Sequence, residues 1–376
     1  MIEIKQVITK KDVKKFATFP LKLYKGCPYY VPSLRLDEMN TFNPKKNNAL
    51  KTNKIKGFLC YKDGELVGRI AGIINYQDND ITGEKLIRFS RFECVDDIEV
   101  FKALLGAVEN MAKEEGMEIM HGPWGFNDTD REGMLTFGFD RRSTYAENYY
   151  YPYFSERMRE LGYEDESKWI EMSFTIPETP YDRIVSFAEK VKGKFNVKDV
   201  SETMSVKQII KKYGDSLIDC LNESYGHLDA YVPVDEGMKK DLFSSFGAVV
   251  NRKYISILVD ENDKVVAFGI CLPSICNAVQ KSKGKLLPFG IFRLLKAVKK
   301  PKELEMALIG VRKEYKNTGI NSLLISKVMK HVVADGIEHI ESNNMLEHNF
   351  NIQQQWKFAE SEIIKKRQTF KKKVGA

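Results

Sequence analysis

The fold of this chain is decided by one stretch, Ile309-Gly310-Val311-Arg312-Lys313-Glu314-Tyr315-Lys316-Asn317-Thr318-Gly319-Ile320-Asn321-Ser322-Leu323-Leu324. An apolar strand runs into a polar, glycine-containing loop, and the loop opens directly onto an amphipathic helix. The first backbone N–H groups of a helix have no partner within the helix, and they lie at the positive end of its dipole. The stretch therefore predicts an anion site that suits a phosphate or a pyrophosphate. It matches neither the Walker A pattern nor G-x-G-x-x-G.

Length and composition indicate a globular protein of more than one domain. The 376 residues suffice for two or three domains, each with its own core. With 43% hydrophobic and 30% charged residues, the chain lies outside the range of disordered proteins. It shows no apolar run of transmembrane length, and its N-terminus lacks the order of a signal peptide. Six cysteines without C-x-x-C spacing predict reduced thiols in a cytoplasmic protein. The net charge of +7 suits an anionic ligand and does not indicate nucleic acid.

The chain divides into two halves with the same order of predicted elements, and the junction lies near residues 176–182. The main elements of the first half are predicted at Lys11–Tyr24, Gly57–Ile74, Leu86–Cys94, Ile98–Glu115, Glu118–His121 and Tyr153–Leu161. Those of the second half are predicted at Val206–Tyr225, Tyr254–Leu272, Leu304–Val311, Asn321–Asp335, Ile337–Glu341, Glu347–Phe358 and Ile363–Lys372. The repeat concerns element order and not residue identity, so it supports an architecture more than a function.

The loop resembles the coenzyme A pyrophosphate loop of the GNAT (GCN5-related N-acetyltransferase) acyltransferases, R/Q-x-x-G-x-G/A after a strand that ends in Val. Here it reads Lys316-x-x-Gly319-x-Asn321 behind Val311. Further segments that resemble a bacterial family of uncharacterised GNAT-like proteins are Tyr24–Leu34, Val67–Asn75 and Gly133–Asp140. The resemblance implies an α/β (α+β) fold with two tandem GNAT-like domains, each a mixed, mostly antiparallel sheet flanked by helices. Residues 1–178 would form a degenerate domain, and residues 179–376 a domain with the coenzyme A loop and a basic insertion at 273–302.

The resemblance also implies acetyl-CoA or another acyl-CoA as co-substrate. It assigns the pyrophosphate to the loop and the start of the helix, namely Lys316, Asn317, Thr318, Gly319, Ile320 and Asn321. It further implies that Ile309 and Val311 expose backbone groups to the pantetheine arm, and it places Asn349 among the cofactor-binding residues. The alternative is a strand–loop–helix joint without a ligand.

The matching position of the first half has a different chemistry. Residues 92–99 contain no glycine, and their carboxylates would repel a pyrophosphate. Asp96 or Asp97 is instead typical of a helix N-cap. The first half is therefore expected to have lost the cofactor site. The aromatic run Tyr149–Phe154 fits core packing better than a ligand pocket.

Candidate catalytic residues are few. Acyl transfer to an amine needs a base, and Glu305 and Glu341 at strand ends are the candidates. The alternative is that both are solvated strand-end carboxylates. The resemblance implies that a tyrosine acts as the acid, but Trp356 occupies its place, and Trp has no titratable proton near neutral pH. The five histidines have no metal-ligand spacing, so no metal site is indicated.

An insertion, Pro273–Lys302, separates the second hairpin from the motif strand. Residues 281–302 contain eight basic and no acidic side chains, interleaved with apolar ones. From Ile291 onward the spacing predicts a basic amphipathic helix. Three interpretations stay open: a helix that covers the sheet edge, a lid over the acyl site, or a peripheral membrane contact through 281–302. The lid and membrane interpretations favour a lipid-like acceptor.

Two functions agree with these features. One is an acyl-CoA-dependent acyltransferase that binds coenzyme A in its second domain and a small-molecule, lipid or peptide acceptor near the junction of the halves. The other is a non-catalytic GNAT-fold binding protein for an acyl-CoA, lipid or peptide ligand. The intact motif in one half and its loss in the other favour the enzyme, whereas Trp356 and the departures from the loop pattern favour the binding protein.

Overall fold

The structure is a computed structural model, which describes residues 1–127, 130–227, 231–247, 249–349, 353–354, 356 and 359–375. The elements of the first half are β1 (Ile2–Gln6), α1 (Lys10–Leu23), α2 (Arg35–Asn40), β2 (Asn53–Lys62), β3 (Glu65–Asn75), α3 (Tyr76–Thr82), β4 (Leu86–Cys94), α4 (Ile98–Glu114), β5 (Ile119–Gly122), β6 (Met134–Phe137), α5 (Tyr153–Glu160) and β7 (Glu164–Phe174). Those of the second half are α6 (Asp182–Lys192), β8 (Lys198–Asp199), α7 (Val206–Tyr225), α8 (Glu236–Gly247), β9 (Ile255–Val259), β10 (Val265–Pro273), α9 (Cys276–Ser282), α10 (Gly290–Lys299), β11 (Glu303–Val311), α11 (Asn321–Ala334), β12 (His339–Ser342), β13 (Met345–Leu346) and β14 (Ser361–Lys373).

Local sequence signals fix several element ends. β2 and β3 are joined by Asp63 and Gly64, whose φ angles of 52° and 82° are the left-handed values that a two-residue hairpin turn requires. Asp97 caps α4, because its side chain accepts a hydrogen bond from the backbone N–H of Glu99. Gly116, with a φ of 69°, follows the end of that helix. These elements form where short-range chemistry predicts them.

Within the described residues, fourteen strands form one sheet, with the main order β1-β2-β3-β4-β5-β14-β7-β12-β11-β10-β9-β8. β6 pairs with β14, and β13 pairs with β7. The pairs β4–β5 and β11–β12 are parallel, and the other pairings are antiparallel. Each half therefore contributes a mixed, mostly antiparallel sheet, with its parallel pair at the same place in the element order. The predicted fold class is confirmed.

The two halves share their central strands. β14, the last strand, lies between β5 and β7, with Phe370 opposite Gly122 and Gln368 opposite Lys168. The other edge of β7 pairs with β12 and β13. The C-terminal strand thus completes the sheet of the first half, and β7 in turn joins the sheet of the second. The division at residue 178 stays a prediction, and β7 and β14 pair across it.

Most predicted helices and strands are present, and most of their ends differ by no more than two residues, although β2 begins at Asn53, four residues before the predicted Gly57. The sequence missed β7, which begins with a polar stretch and holds the charged residue Glu171 at its buried centre. It also missed the short helices α3 and α6. The helix predicted over Glu347–Phe358 includes residues 350–352, 355 and 357–358, which lie outside the described part of the chain.

Truncation after residue 358, which removes β14, tests the strand exchange. We expect the first half to lose cooperative folding, because β5 and β7 both lose their shared antiparallel neighbour and leave open edges. Hydrogen exchange measured by mass spectrometry should show lost protection in both strands. Truncation after Lys373 keeps β14 and should leave protection nearly unchanged. Full protection of β5 in the 1–358 chain would contradict the prediction.

Candidate functional site

A slot opens between β11 and β12 beyond the middle of β11. Their parallel pairing ends where Met306 lies opposite Ser342, and the N–H of Asn343 donates a hydrogen bond of 3.1 Å to the carbonyl oxygen of Met306. From there β11 continues to Val311 beside β10, whereas the chain leaves β12 and forms β13 along β7. The last residues of β11 therefore present one edge to the slot.

A β-bulge explains why the two strands diverge. The register between β10 and β11 shifts at Ile270 and Cys271, where Ala307 is the extra residue. In the first half, the register between β3 and β4 shifts in the same way, and Arg91 and Phe92 together face one residue of β3. Bulges bend a strand and re-aim its edge. Both halves thus contain the same device at the strand that precedes the loop.

The loop after β11 has the geometry of an anion site. Asn317 and Gly319 have φ angles of 61° and 86°, and α11 begins directly afterwards. Asn tolerates the left-handed region well, which explains how the loop forms without a second glycine. Within the described residues, the N–H groups of Gly319 and Ile320 donate to no acceptor, and the buried hydroxyl of Ser322 has no partner. These donors lie together at the positive end of α11.

Basic groups surround this loop. The side chains of Lys313 and Lys316 are exposed. The pKa of His227 is lowered by burial, and also by the charges of Lys316 and Lys313, so the three groups lie near one another. Arg312, by contrast, is buried and binds the Glu223 carboxylate at 2.8 Å. Arg312 therefore ties β11 to α7, while the lysines are left for a ligand.

The two residues predicted to expose their backbone to pantetheine already have partners. The N–H of Ile309 donates to the Tyr225 hydroxyl at 3.3 Å, and the carbonyl oxygen of Val311 accepts from the Ser224 hydroxyl at 3.2 Å. A pantetheine arm would have to replace these contacts from the end of α7. Asn349 follows β13, on the side of the slot opposite β11. Their roles in cofactor binding stay predictions.

Glu305 is buried, so its description as a solvated strand-end carboxylate is wrong. Its carboxylate accepts hydrogen bonds from the Ser274 hydroxyl at 2.7 Å, the Tyr145 backbone N–H at 3.0 Å and the Cys276 thiol at 3.1 Å. Burial raises the pKa of Glu305, and the bonds from Ser274 and Cys276 offset part of that rise. Because Glu305 directly precedes Met306, its backbone lies at the closed end of the slot.

Glu341 is also largely buried, but its environment is the opposite. It lies opposite Glu305 in the parallel pair and contacts Lys365 at 2.8 Å and His339 at 2.7 Å. Burial raises the pKa of Glu341, yet the hydrogen bond from His339 and the charge of Lys365 outweigh it and bring the pKa to about 2. A carboxylate with so low a pKa is a weak base at neutral pH. Of the two candidates, Glu305 fits the role better.

A buried ionic cluster joins the shared strands, and nothing in the sequence pattern predicted it. Lys365 of β14 lies 2.8 Å from Glu171 of β7, and Arg367 contacts Glu171 and lies 3.6 Å from Glu147. Burial raises the pKa of Glu147 to about 8, and the charge of Arg367 offsets part of the effect. Asn344, just past the slot, donates to Glu147 at 3.0 Å. The cluster therefore reaches from the centre of the sheet to the slot.

The group in the expected acid position is a packing residue. Trp356 lies against Phe174 with ring centroids 5.3 Å apart, in an apolar cluster beneath α11. Tyr225 is the phenol that the structure brings to the slot, through its contact with Ile309. Sequence reasoning missed it because it ends a helix 84 residues before its partner.

In the first half, the position of the loop is occupied by internal contacts. Asp97 caps α4 and pairs with Lys62, and Asp96 pairs with Arg157 at 2.9 Å. The predicted N-cap is therefore confirmed at Asp97. Both carboxylates are paired within this chain. Their basic partners, Lys62 and Arg157, are therefore already engaged and are not available to an anionic ligand.

The aromatic run of residues 149–154 packs against the end of β4. The Tyr153 hydroxyl donates to the carbonyl oxygen of Cys94 at 2.8 Å, and the rings of Phe154 and Phe92 meet edge to face at 5.9 Å. These side chains belong to the core of the first half. Core packing, the interpretation favoured by the sequence, is what the structure contains.

Two cavities lie elsewhere. The larger, about 770 Å³, is formed by the end of β7 and the starts of β12 and β14. Its acidic lining residues are Glu178, Glu338, Glu360 and Glu362. The distance from this cavity to the slot along β12 is about 13 Å, because the strand rises about 3.3 Å per residue between His339 and Asn343. The smaller, about 60 Å³, has only apolar walls between α7, α8 and the sheet and is a packing gap of the core.

Three further observations concern metal binding, the cysteines and membrane-spanning helices. Among the residues that the structure describes, no three His, Cys, Asp or Glu side chains are arranged to hold a metal ion. All six cysteines are free thiols. In the same part of the chain, no helix has the length and apolarity needed to span a bilayer.

Known proteins with similar sequences cover nearly the whole chain. No protein-family model matches it. Protein YghO of Escherichia coli strain K12 is 25% identical over 385 residues, which cover 99% of this chain and 95% of that protein. A bacterial ceramide synthase of Caulobacter vibrioides is 25% identical over 337 residues, which cover 86% of this chain and 84% of that protein.

A solved structure settles the architecture. A tandem GNAT protein from the clavulanic acid biosynthesis pathway matches with a TM-score of 0.58 and 10% identity, over 100% of this chain and 99% of that one. This chain has the tandem GNAT fold. The second half of this chain contains the bulge, the slot and the loop in that order, whereas the first half contains the bulge without a glycine-containing loop. An identity of 10% extends to the fold alone, so the site is argued from the residues of this chain.

The ionic cluster makes a prediction about stability. Lys365→Met leaves Glu171 and Glu341 without their shared cation, and breaking a buried pair from one side costs about 3–5 kcal/mol. Chemical denaturation should show that loss in the free energy of unfolding. Lys366→Met is the matched control, because Lys366 is half-exposed and its pair with Glu347 contributes about 1 kcal/mol or less. Equal effects of the two substitutions would contradict the role of the cluster.

Proposed function

We propose that this chain transfers an acyl group from acyl-CoA to an amine and that loop 316–321 of the second half binds the coenzyme A pyrophosphate. One observation carries the proposal: a slot between parallel strands opens beside a helix N-terminus whose loop has unengaged donors. The N–H groups of Gly319 and Ile320 suit phosphate oxygens, and Lys316 adds a positive charge at the rim. In the first half, the equivalent residues are acidic and already paired.

The pantetheine arm would run along the slot edge of β11. Its amide groups are able to take the places of the Tyr225 and Ser224 hydroxyls on Ile309 and Val311. When the pantetheine arm replaces the contact between Tyr225 and the Ile309 N–H, the Tyr225 hydroxyl is released. We expect it then to lie beside the thioester. Its phenol O–H is suited to donate a proton to the departing thiolate.

Glu305 is the proposed base. The amine nitrogen attacks the thioester carbon, the C–N bond forms and the C–S bond breaks. The proton lost by the amine goes to Glu305, and the thiolate takes a proton from Tyr225. Burial raises the pKa of Glu305 and so makes it a better acceptor than Glu341. Glu305 also adjoins Met306, where the slot begins.

For the acceptor, we propose a lipid amine. The relative that covers 86% of this chain carries the name of a bacterial ceramide synthase, and that name supports a lipid in preference to a peptide. The second candidate function is a binding protein without turnover. It is favoured by one specific observation, the internal partners that already occupy Ile309 and Val311.

Lys316→Glu tests the pyrophosphate site. Reversing this exposed charge should raise the dissociation constant of coenzyme A at least tenfold, about 1.4 kcal/mol, because the pyrophosphate then faces a carboxylate. Isothermal titration calorimetry measures it. Lys330→Glu makes the same change near the far end of α11 and should bind like the native protein. Gly319 is a poorer test, because an added Cβ would lie 2.8 Å from Phe187. Native protein that binds no coenzyme A at millimolar concentration would refute the proposal.

Tyr225→Phe separates catalysis from binding. We expect the rate of thiol release from acyl-CoA, followed over a panel of lipid amines, to fall about 100-fold with little change in coenzyme A affinity. Tyr213→Phe, twelve positions earlier on α7, is the control and should keep the native rate. An unchanged rate in Tyr225→Phe would assign the proton to another group. Coenzyme A binding without thiol release from any amine would favour the binding protein.

A further inference from the structure

We propose that α10 and the loop before it dock on the surface of an anionic lipid bilayer. The docking face combines exposed apolar and basic side chains from a short stretch of the chain. Its members are Lys285, Leu287, Phe289, Phe292, Leu295, Lys296, Lys299 and Lys300. The inference goes beyond the proposed acyl transfer and does not depend on it, because membrane contact needs no coenzyme A.

The apolar part of the docking face is concentrated. Leu287, Phe289, Phe292 and Leu295 have exposed fractions of 76%, 68%, 68% and 52%. They are four of the thirteen large hydrophobic side chains that are exposed in the described part of the chain, and they fall within nine residues. Single exposed apolar residues are ordinary, whereas a cluster of this kind marks an interaction surface.

The helix is held so that this face points outward. Leu294 is buried, and Ile291 and Val298 are partly buried on the same stripe of α10, at the i−3 and i+4 positions. Phe292, Leu295, Lys296 and Lys299 are exposed, and they follow one another at the i, i+3, i+4 and i+7 positions, so they form a second stripe. One face of α10 therefore anchors it to the protein, and the other is a mixed apolar and basic surface of the kind that lies in a membrane interface.

Rigid contacts with the first half fix the base of this surface. The Gln280 side-chain amide donates to the carbonyl oxygens of Pro28 and Tyr30, both at 2.9 Å. The N–H of Arg35 donates to the carbonyl oxygen of Gly284 at 2.9 Å. The segment is thus built into the molecule, and the exposed side chains are presented on an ordered support.

The charge of the face selects its partner. Residues 281–302 carry eight positive charges and no acid, while the whole chain has a net charge of +7, so the remaining residues together have a net charge of −1. Within the described residues, Lys302 alone of the eight forms an ion pair, with Glu338 at 2.6 Å. An anionic membrane attracts each such lysine by about 1 kcal/mol, while apolar side chains enter the headgroup region.

A second copy of the chain fits this face poorly. A two-fold interface brings the same patch of both subunits together, so the four lysines of the docking face would meet the same four lysines of the other copy. Juxtaposed like charges oppose such a contact. A bilayer with acidic headgroups offers the opposite charge and an apolar interior at the same surface.

Vesicle flotation tests the proposal. Native protein should float with vesicles of phosphatidylcholine and phosphatidylglycerol, should float much less with phosphatidylcholine alone, and should be released by 0.5 M salt only in part, because the apolar contacts are not screened. Two variants divide the surface: Phe289→Ser with Phe292→Ser, and Lys296→Glu with Lys299→Glu. Each should lower the partition coefficient at least tenfold.

Matched controls are taken from residues outside the docking face. Ile8→Ser with Ile81→Ser removes two exposed apolar side chains, and Lys11→Glu with Lys14→Glu reverses two exposed charges of α1. Both should float like the native protein. Flotation that is unaffected by the docking-face variants, or equal losses in the controls, would overturn the proposal. Native protein that does not bind anionic vesicles would also overturn the proposal. That outcome includes the case in which the native protein forms dimers and the Phe variants dissociate them.

Discussion

The structure depends on the charges buried between β7 and β14. Lys365 and Arg367 come from the last strand, and Glu171 comes from the strand that ends the first half. None of the three is stable in the interior alone, because an unpaired buried charge costs several kcal/mol. The halves must therefore assemble around each other before either sheet is complete. The cluster sets the register between β7 and β14 as well as stabilising them, because Lys365 and Arg367 of β14 both pair with Glu171 of β7.

The same cluster connects architecture with the candidate site. Glu341 binds Lys365 and lies opposite Glu305, at the closed end of the slot. Two carboxylates in adjacent strands thus acquire opposite properties: His339 and Lys365 lower the pKa of Glu341 despite its burial, and burial raises the pKa of Glu305. Such separation of pKa values is how a site obtains different chemical roles from one residue type. In the first half, Tyr153 and Phe154 pack against the end of β4.

Sequence reasoning identified the parts of the site that depend on neighbours along the chain. The loop from Lys316 to Asn321 was found because a strand end, a glycine and a helix start are adjacent in sequence. Tyr225 and Glu147 were not found, because their significance comes from contacts with residues 84 and 197 positions away. Glu305 was found with the wrong environment: its burial results from Tyr145 of the first half and Ser274, neither of which adjoins it in sequence.

The sequence by itself determined the order of most helices and strands, the tandem repeat, the glycine-containing loop before α11 and the basic amphipathic helix α10. All of these rest on local periodicity, turn residues and caps, which act over a few residues. Tertiary structure alone decided that β14 lies between β5 and β7, that polar strands occupy the centre of the sheet, and that α10 turns Phe292 outward. The physical reason is that a charged residue looks like a surface residue until its partner is known. In this chain those partners come from the other half.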